Sequence, residues 1–81
     1  LEPVVAERWW NGFVDAVLSL EEQPERCALV PERVLRMRMI RHLLYHSHRI
    51  VFSIDEEREV VRVLRVYHSR RQKLRPHDIA E

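Results

Sequence analysis

From Val4 to Glu22 the apolar residues Val5, Trp9, Phe13, Ala16, Val17 and Leu20 recur at three- and four-residue spacing. Arg8, Asn11, Asp15, Ser19 and Glu22 fall on the opposite side. This period predicts an amphipathic helix with a wide apolar arc. Pro3 suits its first turn, where a missing N–H costs nothing, and Gln23-Pro24 ends it. Gly12 inside the helix costs about 1 kcal/mol relative to alanine, which points to close packing there.

Pro24 to Pro31 reads as a loop, and beyond it β-branched and long apolar residues take over. A first strand is predicted over Met39 to Tyr45, with an extended lead-in from Leu35, and His46-Ser47 is the turn after it. The second strand runs from Arg49 to Ile54, with Ile50, Phe52 and Ile54 on one face and Arg49, Val51 and Ser53 on the other. Asp55 to Glu59 forms the next turn, and the third strand covers Val60 to Tyr67. Connections this short make antiparallel neighbours. The expected fold is therefore α+β: one N-terminal amphipathic helix packed on a three-stranded antiparallel sheet.

The chain has 81 residues, enough for one domain over 1–81 with a thin core. A chain of that size buries about 60–65% of the surface it exposes unfolded. Apolar residues make up 46% and charged residues 33%, which argues for a folded, water-facing domain rather than disorder. No run approaches the roughly 20 apolar residues of a membrane span, and no signal peptide is recognisable, so a cytoplasmic location is expected. Cys27 is the only cysteine, so no intramolecular disulfide and no cysteine-based zinc cluster can form.

Charge divides the chain in two. Residues 33–81 hold 12 of the 14 Lys and Arg against six acids, a net of +6. Residues 1–32 hold two arginines against seven acids, a net of −5. The overall +1 thus hides an acidic helical end and a basic strand end. A basic sheet with a basic tail suits an anionic partner. A single glycine rules out a glycine-rich phosphate cradle, and neither a nucleophile elbow nor a glycosidase-like acid pair is present. No cofactor is expected.

In order along the chain come Ser19-Leu20-Glu21-Glu22-Gln23-Pro24, Arg26-Cys27, Pro31-Glu32, Ile40-Arg41, His48-Arg49-Ile50, and the close Val63-Leu64-Arg65-Val66-Tyr67-His68 with Arg70-Arg71. This ordered set, covering about Ala6 to Asp78, resembles the RelE/ParE superfamily of bacterial toxins from type II toxin–antitoxin (plasmid stabilisation) modules. Each short pattern alone is unspecific; their order carries the resemblance. Members usually begin with an additional edge strand and helix that this chain, starting at Leu1, does not supply, so a truncated form of the fold is expected. An edge left unpaired by that difference would be covered by an antitoxin segment or by a second copy in a homodimer.

The resemblance implies a growth-inhibiting toxin neutralised by a cognate antitoxin, with two branches open. In one, the chain inhibits DNA gyrase by binding and is not an enzyme. In the other, it cleaves mRNA on the ribosome. A truncated, non-toxic remnant that only binds or dimerises is a third alternative. The VLRVYHSRR close lies nearer to ParE, and the lack of a tyrosine after Tyr67 points the same way.

Arg49 matches the family's strand arginine, which in the RNA-cleaving branch contacts the scissile phosphate. A guanidinium can hold a phosphate through two hydrogen bonds and stabilise charge that builds in the transition state. Its plain alternative is a strand residue paired with Asp55 or Glu57. Arg70 and Arg71, with Lys73 and Arg75 behind them and Arg65 before them, form the candidate target- or antitoxin-binding surface, or else a solubilising tail. In the nuclease branch Arg71 joins Arg49, and His68 or His77 moves a proton; Arg36 and Arg38 would supply further positive charge. A structural His68 would instead bond to backbone or to Asp78.

His42, His46 and His48 suggest a metal site only weakly, because no carboxylate or cysteine stands at ligand spacing, and none is assigned. Trp9 and Trp10 are expected as core and interface anchors rather than base-stacking platforms. Cys27 is expected to be a packing residue, since no base can be paired with it.

Overall fold

The computed structural model describes residues 3–68 and 75–79. Helix α1 spans Pro3–Leu18 and continues as a 3₁₀ turn over Ser19–Glu21. A second 3₁₀ turn covers Pro24–Arg26, and a short helix α2 covers Arg33–Met37. Strands β1 (Arg41–Tyr45), β2 (His48–Asp55) and β3 (Val60–His68) follow. They form one antiparallel sheet in the order β1-β2-β3. The expected α+β architecture is what the chain adopts.

The alternation read along β2 places two cores on opposite faces of the sheet. On one face Ile50 and Phe52 pack with Leu20 and Cys27 beneath α1, flanked by Phe13, Val17, Leu43 and Ile54. On the other, Val51 and Tyr67 pack with Val30, Leu35, Ile40 and Ile79. Cys27 is a buried free thiol, as its packing role requires. The register skips Leu64 between the pairs Phe52↔Val63 and Val51↔Arg65, a one-residue bulge. That shift keeps Val63 and Val66 on the same face.

Two expectations for the region before the sheet are corrected. Leu35 does not belong to an extended lead-in: it is helical and fully buried in the second core. The helix is hard to see in the sequence because its stop signal carries no glycine. Met39 takes the left-handed conformation at φ 62°, with Met39 N–H bonded to Arg36 O at 2.9 Å and Ile40 N–H to Leu35 O at 3.1 Å. This is a Schellman closure with methionine where glycine is the common choice. The loop over 24–31 is also more structured than expected. Leu29 bridges Arg41, Val30 N–H donates to Ile40 O at 2.9 Å, and His42 N–H donates to Ala28 O at 3.1 Å. This short stretch covers part of the outer edge of β1.

Gly12 is explained by its neighbour. The Tyr45 hydroxyl donates to the Trp9 carbonyl at 2.8 Å, and a Cβ at Gly12 would collide with that hydroxyl. The helix therefore approaches β1 at the one residue that has no side chain.

Candidate functional site

Alternation along β2 sends Arg49 to the face of Val51, away from α1, where the register sets it opposite Tyr67 of β3 and Leu44 of β1. Its guanidinium is engaged at all three nitrogens. Nη1 and Nη2 donate to the two Glu32 carboxylate oxygens at 3.0 and 2.9 Å. Nε donates to His42 Nδ1 at 3.0 Å. The guanidinium carbon lies 5.7 Å from the centre of the Tyr67 ring, within cation–π range. The side chains of Arg49 and Glu32 are only 10% and 11% exposed.

Four separate pieces of chain thus meet at one arginine: Glu32 before α2, His42 on β1, Arg49 on β2 and Tyr67 on β3. The bidentate geometry is the strong form of a carboxylate–guanidinium pair. For His42 to accept from Nε, its Nδ1 must be unprotonated. Burial first, and the Arg49 charge second, hold the His42 pKa below its ordinary 6.5, while Glu32 pulls it back up. The cluster has the chemistry of a buried strut.

The sequence-based alternative for Arg49, an ion pair with Asp55 or Glu57, is corrected to an ion pair with Glu32. Asp55 stands six residues along the same strand, about 20 Å away at the rise of an extended chain. It pairs instead with Arg62 at 3.4 Å and Arg58 at 3.9 Å.

The other candidates are spread out. Arg65 is exposed, and its Nη1 donates to the Asp78 carbonyl at 3.2 Å. The Arg75 N–H donates to the Asp78 carboxylate at 3.0 Å, the main reason that the Asp78 pKa is lowered. His77 Nε2 lies 3.6 Å from the same carboxylate. His68 ends β3 with its ring 5.0 Å from that of His48, edge to face. Arg36 and Arg38 are exposed at and after the end of α2. Arg70, Arg71 and Lys73 lie outside the described residues.

The three histidines weighed for a metal point to different neighbours. His42 meets Arg49, His46 packs on the Tyr45 ring, and His48 lies between Trp9 and His68. Among the described residues no group of three or more metal-ligating side chains comes together. Trp9 is a half-buried anchor stacked on Phe13 at 5.4 Å. Trp10 stacks on Phe13 at 5.6 Å and is 56% exposed.

Sequence reasoning missed Glu32, His42 and Tyr67 as partners of Arg49. The only local hint was the Pro31-Glu32 pair, because the ion pair spans 17 residues and depends on how α2 returns to the sheet.

Residues 1–73 match the family model of the ParE toxin of the type II toxin–antitoxin system parDE. This chain belongs to the ParE toxin family. No curated protein and no solved structure matches it. Membership fixes the broad role, the toxin of a two-component module, and with it an antitoxin as partner. It also bears out the RelE/ParE resemblance seen in the ordered motifs. Among the described residues no helix of this ParE-family chain is long and apolar enough to cross a membrane.

Proposed function

We propose that this ParE-family chain arrests growth from the cytoplasm by binding DNA gyrase, without catalysing a reaction, and that its antitoxin silences it by covering the binding surface. The observation that carries this reading is the engagement of Arg49 with Glu32, His42 and Tyr67. An arginine that stabilises phosphoryl transfer must aim free N–H groups at the substrate. Here three of the five guanidinium N–H groups are spent on protein partners in a side chain only 10% exposed, and the Glu32 carboxylate takes the two-bond contact that a phosphate would need. A binding inhibitor needs no such free group.

Target recognition then falls to the basic residues beyond Arg49: Arg65, Arg70, Arg71, Lys73 and Arg75. Acidic or extended antitoxin residues over that surface would both occupy it and cancel its charge.

The test is pulse-labelling of DNA and protein synthesis in cells just after the chain is induced without its antitoxin. An early fall in DNA synthesis is expected, and it should persist in a double variant, Glu32→Leu with Arg49→Met, that removes the ion pair together. An early fall in protein synthesis that Arg49→Met abolishes in folded protein would overturn the reading in favour of RNA cleavage.

A further inference from the structure

Most arginines between α1 and the end of β3 are spent on the protein itself. Arg26 donates to the Glu22 carbonyl and Arg41 to the Cys27 carbonyl, each at 2.6 Å. Arg49 holds Glu32, Arg58 and Arg62 meet Asp55, and Arg65 reaches the Asp78 carbonyl. The exceptions are Arg33, Arg36 and Arg38. All three are exposed, and among the described residues none of them forms a side-chain hydrogen bond or an ion pair.

The same stretch leaves large apolar side chains in water. Successive residues of a helix turn by about 100°, so burying Leu35 in the second core sets Arg33 and Met37 on the opposite side of α2, with Val34 and Arg36 on its flanks. Met37 is 74% exposed, Met39 57% and Val34 49%. They are interleaved with the arginines in the order Arg33-Val34-Leu35-Arg36-Met37-Arg38-Met39. Glu32, the nearest acid in the chain, is held through both oxygens by Arg49, so the charge of this face is not cancelled. Cations near the end of a helix favour its dipole, which accounts for Arg36 and Arg38. It does not account for three exposed apolar side chains set between them.

We infer that this face of α2 docks a partner protein through a segment that carries Asp or Glu among apolar side chains. Its carboxylates meet Arg33, Arg36 and Arg38, and its apolar residues cover Val34, Met37 and Met39. A guanidinium can grip a carboxylate through two bonds, and methionine adapts its shape to the surface set against it. A nucleic acid backbone would use the charge alone and leave the apolar tips in water. A second copy of this chain is a poor occupant, because a two-fold interface sets the same patch against itself and brings arginine against arginine. The surface proposed above for target and antitoxin lies on and beyond β3. α2 precedes β1 and shares no residue with it, so this docking face does not depend on which target the toxin inhibits.

The test uses the whole 81-residue chain, carbon-13-labelled at its methionine methyls; Met37 and Met39 are its only methionines, so both signals report on this face. Three synthetic octapeptides are compared: an amphipathic one of glutamate and leucine, its lysine–leucine counterpart, and a glutamate–serine one of the same charge without an apolar side. The glutamate–leucine peptide should shift both methyl signals and bind about tenfold more tightly than the other two. Its affinity should drop about tenfold in an Arg33→Gln, Arg36→Gln, Arg38→Gln variant, and clearly also in Met37→Ser, and it should weaken as salt rises. These exposed substitutions leave both cores untouched. Equal binding of the glutamate–serine peptide, or of a single-stranded oligonucleotide at the same methyls, would overturn the proposal, because the face would then be a plain anion surface. Unmoved methyl signals with the glutamate–leucine peptide, or unchanged affinity in either variant, would overturn it as well.

Discussion

Arg49 shows how one residue can be both the obvious candidate for chemistry and a means of joining the fold. Its carboxylate partner comes from before α2 and its imidazole partner from β1, so the guanidinium ties the region ahead of the sheet to the sheet itself. Removing one member of a buried ion pair strands the other charge, which costs about 3–5 kcal/mol, whereas replacing both by apolar residues of similar size is often nearly neutral. Glu32→Ala should therefore destabilise the domain by about 3 kcal/mol in urea unfolding, and Glu32→Leu with Arg49→Met by much less. Single-variant losses under about 1 kcal/mol would contradict the strut.

His42 adds a pH dependence with a definite sign. Its pKa is lowered in the folded state, so the unfolded chain binds the proton more readily. The contribution of neutral His42 is complete above its ordinary 6.5 and is lost as pH falls below that value toward the folded pKa. Protonation also removes the Nδ1 acceptor and sets a positive charge beside Arg49. Melting temperatures should fall more between pH 7.5 and pH 5.5 for the natural chain than for His42→Gln; equal falls would assign the effect to the other histidines.

At the scale of elements, α1 and β1 are fitted together by Gly12 and Tyr45. Gly12→Ala gains up to about 1 kcal/mol of helix propensity, but its methyl displaces the Tyr45 hydroxyl from the Trp9 carbonyl. We expect Gly12→Ala to destabilise the natural chain and to be neutral or stabilising in a Tyr45→Phe background, read from a double-mutant cycle of unfolding free energies. Additive effects would show that the close approach does not matter. The same elements mark what the sequence made legible. The three-to-four period gave α1 and the period of two gave the faces of β2, because each is a local consequence of burying one side of a regular element. α2 escaped notice because Met39 closes it where glycine would have signalled the stop. The second core escaped for a related reason, since α2, Leu35, Val30 and Ile79 reach that face only through tertiary folding. The partners of Arg49 were equally out of local reach, although the residue itself stood out as a candidate.

For the molecule as a whole, the two faces and two edges of a small sheet are put to different uses. α1 covers one face, α2 and the turn over Pro76–Asp78 lie toward the other, and the segment over 28–30 shields part of the β1 edge. Among the described residues, Arg65 and Arg75 are exposed basic residues beyond the strut. On the function proposed above, a ParE-family toxin organised in this way acts through surfaces. Arg49, the one buried arginine among the described residues, ties the region before α2 to the sheet, and the binding residues are sought outside it. The most direct check of that claim is supercoiling of relaxed plasmid by purified DNA gyrase in the presence of the purified chain, run beside the Glu32→Leu, Arg49→Met double variant. The account expects both proteins to inhibit supercoiling to a similar degree. It would be contradicted if neither inhibits gyrase and the natural chain alone cleaves mRNA on the ribosome.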